Sequence, residues 1–102
     1  MLKIPHSEAL KKVAQRLVWF KKPDEALDDP YLFMAHVMTY GTIPDVLAVK
    51  QALGMEAFRE GLEHAPPGIM DPKSWTYWHL MTGTHPAPPL PIRTGLFKDE
   101  SS

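Results

Sequence analysis

Proline and glycine divide this sequence into five short stretches, and each stretch has the apolar spacing of a helix. The stretches end at Pro23, Gly41, Gly54, Pro66 and Gly83, which are residue types that break a helix or cap its end. No stretch shows the period-two alternation of β-branched and aromatic residues that a strand requires. The sequence therefore predicts an all-α fold of about five short helices, followed by an extended, proline-rich C-terminal tail.

Capping residues precede several of these helices. Ser7 is placed to cap the first helix, and Asp29 and Asp71 each stand directly before a proline, which is favoured at the first helical position. Thr42 and Asp45 have the spacing of a capping box, in which both side chains satisfy free backbone donors. Capping explains these carboxylates without a role in acid or base catalysis.

The second predicted helix is apolar around almost its whole circumference. Between residues 31 and 40 only His36 and Thr39 are polar, so other helices are expected to cover this one on several sides. We take it as the central helix. A lone imidazole in such surroundings has to be satisfied, so His36 is predicted to be buried or half-buried with a hydrogen-bond partner.

Length and composition favour one globular unit. The chain has 102 residues, of which 44% are hydrophobic and 23% are charged, and it has no cysteine. We expect a single helical domain over residues 1–93, including a docked proline-rich segment, and a flexible tail over residues 94–102. The absence of cysteine excludes disulfides and thiolate metal sites, and no export signal or membrane span is recognisable, so a cytoplasmic location is predicted.

The net charge of −1 hides an uneven distribution. Residues 1–22 carry a net charge of +5 and the remainder carries −6. Lys11, Lys12 and Arg16 of the first helix are therefore the candidates for contact with nucleic acid or another acidic partner. The alternative interpretation is an ordinary solvated helix face balanced by acidic neighbours.

Sequence motifs for catalysis are missing. The five histidines never occur at the i, i+4 spacing of a helical zinc site, and neither a glycine-rich phosphate loop nor a GxSxG motif is present. We therefore expect a protein that is not an enzyme and that needs no metal or cofactor. The third and fourth predicted helices have the size of a helix-turn-helix. However, the fourth helix carries three glutamates and a single arginine, and this excess of negative charge argues against contact with DNA: Glu56, Glu60, Glu63 and Arg59.

Tryptophan and tyrosine mark the candidate surface for a protein partner. Trp19 lies about opposite Leu10 on the first helix, so it faces away from the core stripe. Either another part of this chain, such as the tail, covers Trp19, or a partner does.

Trp75, Tyr77 and Trp78 spread around the fifth helix, so one face serves the core and another needs a second cover. These three residues and Trp19 form the predicted partner-binding set. The proline-rich residues 87–91 are the structural candidate for that cover, whereas the rival interpretation makes residues 88–93 a PxxPxR ligand for SH3-type domains.

Several short segments, in one order, carry a family resemblance over roughly residues 10–93. They are LVWF at 17–20, VMTYGT at 37–42, FRE at 58–60 with HAPPG at 64–68, SWTYWHL at 74–80 and PPLP at 88–91. Together they resemble small bacterial helical proteins of unknown function that are often encoded beside AbiEii-type nucleotidyltransferase toxins. The resemblance implies an antitoxin-like or accessory role through protein contact, with no catalytic residues. A winged helix with a basic recognition helix is not recognisable, which argues against self-repression of an operon.

Overall fold

The computed structural model of the chain describes residues 2–84 and 86–90. Six helices occur within these residues, and no strand does. They are α1 (Glu8–Leu17), α2 (Pro23–Leu27), α3 (Pro30–Tyr40), α4 (Ile43–Leu53), α5 (Met55–Glu63) and α6 (Pro72–Met81). The predicted all-α class is confirmed, and the helix that the sequence analysis did not find is α2.

The α1–α2 connection differs from the prediction. Ser7 caps α1 as expected, since its hydroxyl accepts a hydrogen bond from the Leu10 N–H at 3.3 Å. However, α1 ends at Leu17 and does not continue to Pro23, which instead opens α2. Proline is well suited to the first position of a helix because its missing N–H would have no partner there. The prediction that Pro23 closes the first helix was therefore wrong.

Two of the predicted caps work differently from expectation. Among the described residues, the Asp29 side chain accepts no capping hydrogen bond at the start of α3. Gly41, at the end of α3, has a φ of −69° and is not left-handed. Glycine is needed there for space, because a Cβ atom would lie 2.5 Å from the Val37 carbonyl oxygen. Positive φ values, which favour glycine, are found instead at Gly54, Gly68 and Gly83, and φ is +83° at Gly54 between α4 and α5.

Helix α3 is the centre of the molecule, as predicted. It contacts all five of the other helices, and its residues 33–38 are buried. Helix α5 lies close to it, because Gly61 has no side chain to hold the two backbones apart. A Cβ atom at Gly61 would come within 2.8 Å of the Met34 Cβ atom. The amphipathic pattern of α5 is also as predicted, with Phe58 and Leu62 buried.

Part of the proline-rich segment lies against the helices. Ala87 and Leu90 pack on the core, and the Trp75 indole N–H donates a hydrogen bond of 2.7 Å to the Pro88 carbonyl oxygen. The rest of the predicted docked segment, residues 91–93, and the predicted tail over residues 94–102 are outside the described residues. Within the described part of the chain, no helix is long and apolar enough to cross a membrane.

Candidate partner-binding surface

The four aromatic residues of the predicted partner-binding set divide into two pairs. Trp19 is 78% exposed and Tyr77 is half exposed, whereas Trp75 and Trp78 are each only 6% exposed. The Trp78 indole N–H donates a hydrogen bond of 2.8 Å to the Met38 carbonyl oxygen at the end of α3. Trp75 and Trp78 therefore serve the core, and only Trp19 and Tyr77 present substantial surface to a partner.

Trp19 belongs to a group of exposed rings that we call the aromatic patch, formed by Trp19, Phe20 and Tyr40. Phe20 is 51% exposed and Tyr40 is 61% exposed. The rings are in contact through a chain of neighbours. Trp19 meets Phe20 edge-on at a centroid distance of 5.6 Å, Phe20 lies 5.5 Å from the His36 ring, and His36 lies 5.7 Å from Tyr40.

His36 forms the floor of the aromatic patch. It is buried, as predicted, and its Nδ1–H donates a hydrogen bond of 2.9 Å to the Leu32 carbonyl oxygen one turn earlier in α3. That bond fixes the orientation of the ring on which Phe20 and Tyr40 pack. A shallow opening of about 320 Å³ lies beside the ring and is lined also by Arg16 and Trp19.

The basic residues of α1 are largely occupied by carboxylates of this chain. Arg16 donates hydrogen bonds to both carboxylate oxygens of Asp45, one of them at 3.0 Å. Lys11 forms an ion pair with Asp24 at 3.4 Å. Lys12 is exposed and, within residues 2–84 and 86–90, has no ion pair. Of the three predicted nucleic-acid contacts, only Lys12 is left with an uncommitted charge.

Asp45, the partner of Arg16, is a buried charge. Its carboxylate also accepts hydrogen bonds of 3.0 Å from the Thr42 N–H and from the Thr42 hydroxyl. The bond from the Thr42 N–H is the Asp45 half of the predicted capping box, which is present at the start of α4. The hydrogen bond from Arg16 is the main reason that the pKa of Asp45 is lowered to about 2. The same pair raises the pKa of Arg16 above its ordinary value.

A second apolar surface lies between α4 and α6, and we call it the α4–α6 groove. Its volume is about 510 Å³. One wall carries Ile43, Val46 and Leu47 of α4, and the other carries Tyr77 and Trp78 of α6. Ile43 and Leu47 are exposed, although both are large and apolar.

A third opening lies between α5, α6 and the proline-rich segment, with a volume of about 390 Å³. Two of its polar side chains, His79 and Thr82, are engaged with the backbone of α6. The His79 Nδ1–H donates to the Trp75 carbonyl oxygen at 2.8 Å, and the Thr82 hydroxyl donates to the Trp78 carbonyl oxygen at the same distance. Across the described residues, no three His, Cys, Asp or Glu side chains converge in a way that would hold a metal ion.

Four surface candidates were not predicted from the sequence: Phe20, Tyr40, Ile43 and Leu47. A usable signal existed for Ile43 and Leu47, which are four residues apart and share a face of α4. No such signal existed for Phe20 and Tyr40, which become neighbours only because α1 packs on α3. Comparisons of the chain with protein families, with curated proteins and with solved structures gave no match.

Proposed function

We propose that this chain is a non-enzymatic protein-binding module whose partner covers the aromatic patch. The observation that carries the proposal is the exposure of Trp19, Phe20 and Tyr40 side by side. Taken with ordinary side-chain areas, these exposed fractions correspond to roughly 400 Å² of aromatic surface. A contiguous apolar patch of that size on a small protein is typical of an interaction site, and tryptophan and tyrosine are the side chains most enriched in binding hot spots.

The patch is also well ordered for binding. Tyr40 lies on the central helix, and Phe20 packs on the buried ring of His36, which is fixed by its bond to the Leu32 carbonyl oxygen. Surfaces that are already held in place lose less conformational entropy when a partner arrives. This supports binding with little rearrangement of the helices.

For the partner, we propose a nucleotidyltransferase of the AbiEii toxin type, with this chain as its antitoxin-like or accessory protein in the bacterial cytoplasm. The support for this partner is the family resemblance of residues 10–93. An antitoxin-like protein acts by contact, for which an exposed aromatic surface is suited, and it needs no catalytic residues of its own.

The alternative function is a small nucleic-acid-binding regulator that uses the basic first helix. It has less support, because Arg16 and Lys11 already form ion pairs with Asp45 and Asp24. Phosphate binding depends on cations that are free to replace counterions, and this gives it a steep dependence on salt. Retention on a nucleic-acid column that disappears between low and moderate salt would favour this alternative.

Co-purification tests the proposed function. A nucleotidyltransferase of the AbiEii type is co-expressed with the tagged chain, either unchanged or carrying Trp19→Ala and Tyr40→Ala together. We expect the unchanged chain to retain the nucleotidyltransferase and the double variant to lose it, while Lys12→Ala serves as the matched control on α1. Binding should also protect Trp19 from quenching by iodide. If the unchanged chain does not retain the nucleotidyltransferase, or if the double variant retains it equally well, the proposal is wrong.

A further inference from the structure

Helices α4 and α6 flank an open gap on the surface of α3. Both pack against α3, but no Cα atom of α4 lies within 8 Å of a Cα atom of α6, and each helix is described over its whole length. The α4–α6 groove occupies this gap. It is also lined by Met38 and Gly41 at the end of α3.

The two walls carry apolar side chains at helical spacing. Ile43, Val46 and Leu47 follow one another at i, i+3 and i+4 along α4, and Tyr77 and Trp78 stand opposite on α6. Such rows of side chains form ridges, and a groove between two ridged helices is the shape into which the ridge of a third helix packs. No strand edge is present among the described residues, so a partner cannot pair its backbone with this surface.

The charges at the rim of the groove are of one sign. Lys73 lines the groove, and Lys50 lines the adjoining surface next to Leu47. Among the described residues, no Asp or Glu lines either opening, and neither lysine has an ion pair within 4 Å. The acidic neighbour of Lys73 is Asp71, whose pKa is lowered mainly by its bonds to Ser74 and to a smaller extent by the Lys73 charge. This positive rim stands out because residues 23–102 carry a net charge of −6.

We infer that the α4–α6 groove binds an amphipathic helix of a protein partner, with carboxylates flanking the apolar stripe of that helix. The apolar stripe fills the space between Leu47 and Tyr77, and the carboxylates meet Lys73 and Lys50. The inference rests on the proposed function for the claim that the chain binds a protein, and it adds a second surface and the chemistry of its ligand. Complementary charges of this kind fix the register and speed the encounter.

Two synthetic peptides test the inference by fluorescence anisotropy. Both are amphipathic helices about four turns long with the same leucine stripe, and they differ only in carrying Glu or Lys beside it. We expect the Glu peptide to bind roughly ten times more tightly than the Lys peptide, and we expect this preference to shrink as salt is raised. Equal binding of the two peptides, or no binding of the Glu peptide, would overturn the inference.

Surface variants then locate the binding. Leu47→Asp and Ile43→Ala change exposed side chains, so the helical circular dichroism signal is expected to be retained. We expect Leu47→Asp to lower the affinity for the Glu peptide by about tenfold or more. We expect Lys73→Glu to remove the difference in affinity between the two peptides. Trp19→Ala and Lys12→Glu are the controls and should leave peptide binding unchanged. If Leu47→Asp and Ile43→Ala both bind as tightly as the unchanged chain, the groove is not the site.

Sedimentation separates a partner from a second copy. If the chain alone forms a dimer that Leu47→Asp dissociates, the groove is filled by another copy and the inferred partner helix is wrong. The proposed function and the inference about the groove can each be wrong while the other stands. Loss of the nucleotidyltransferase with the Trp19 and Tyr40 double variant, together with no peptide binding, would support the proposed function and overturn only the groove.

Discussion

Arg16 donates a hydrogen bond to each carboxylate oxygen of Asp45, a residue 29 positions later in the chain. Asp45 is only 1% exposed, while the Arg16 side chain is about half exposed. The same carboxylate accepts two hydrogen bonds from Thr42 at the start of α4. One buried charge thus caps α4 and ties it to α1. Arg16 also lines the opening beside the aromatic patch, and Thr42 lines the α4–α6 groove, so this contact adjoins both surfaces.

Removing the Arg16 guanidinium should destabilise the fold. Arg16→Ala leaves the buried Asp45 carboxylate with only its Thr42 partners, and an incompletely paired buried charge is costly. Because Arg16 is partly solvated, we expect a loss of about 2 kcal/mol in the free energy of unfolding. Urea denaturation measures it, with Lys12→Ala on the same helix changing stability by less than about 0.5 kcal/mol. Equal midpoints for Arg16→Ala and the unchanged chain would show that the pair contributes nothing.

The low pKa of Asp45 predicts a loss of stability in acid. Its pKa is about 2 in the folded chain and about 3.9 in an unfolded chain. The folded state therefore binds fewer protons between these values, so this stabilisation is complete above about pH 5 and is lost as the pH falls through 2. The shift corresponds to at most about 2.5 kcal/mol. Asp45→Asn should be less stable at pH 7 and should show a shallower decline in acid, measured by urea denaturation from pH 7 to pH 2.

Three other carboxylates lose stabilisation in the same acid range. Their pKa values are lowered by hydrogen bonds that they accept: Asp24 from His6, Glu60 from Tyr31, and Asp71 from the Ser74 N–H. All three are present in Asp45→Asn as well, so the difference between the two denaturation profiles isolates Asp45. Parallel profiles for the variant and the unchanged chain would contradict the assignment.

Gly61→Ala should destabilise the chain, although alanine favours a helix by about 1 kcal/mol over glycine. The new Cβ atom would lie 2.8 Å from the Met34 Cβ atom, which cannot swing away because it is attached directly to the backbone of α3. Overpacking of this kind costs about 1–3 kcal/mol, so we expect a net loss of about 1 kcal/mol and a lower Tm. Thermal denaturation measures it, with Gln51→Ala on the exposed side of α4 as control. A Tm that rises for Gly61→Ala would mean that α3 and α5 can separate freely.

Trp78→Phe and Tyr77→Phe should differ, although the two residues are adjacent on α6. The Trp78 indole N–H satisfies the Met38 carbonyl oxygen in the interior, and its ring stacks on Phe58 at 4.8 Å. Losing that donor leaves a buried acceptor without its partner, which costs about 1–3 kcal/mol. Tyr77 is half exposed, so Tyr77→Phe should change stability by less than about 0.5 kcal/mol. Chemical denaturation of both variants checks the contrast, which equal losses would refute.

The sequence was most informative where the decisive contacts are local. Ser7 and Asp71 cap α1 and α6 through bonds to residues three positions later, as their spacing indicates. The central position of α3 also followed from the sequence, because a helix that is apolar all round needs cover on several sides. The role of Pro23 was predicted wrongly, because a proline can either end a helix or start one. The residue type alone does not distinguish these two roles.

The tertiary structure decided which surfaces remain open. Asp45 has the spacing of a local cap, yet its main partner is Arg16 on another helix, and no sequence pattern joins two residues so far apart. The aromatic residues of α6 look equivalent in sequence, but packing against α3 and the proline-rich segment buries Trp75 and Trp78 and leaves Tyr77 half exposed. Hydrogen bonds within one helical turn are specified by neighbouring residues, so the sequence determined five of the six described helices and most of their caps. Burial depends on which helices pack together, so only the fold could determine the aromatic patch and the α4–α6 groove.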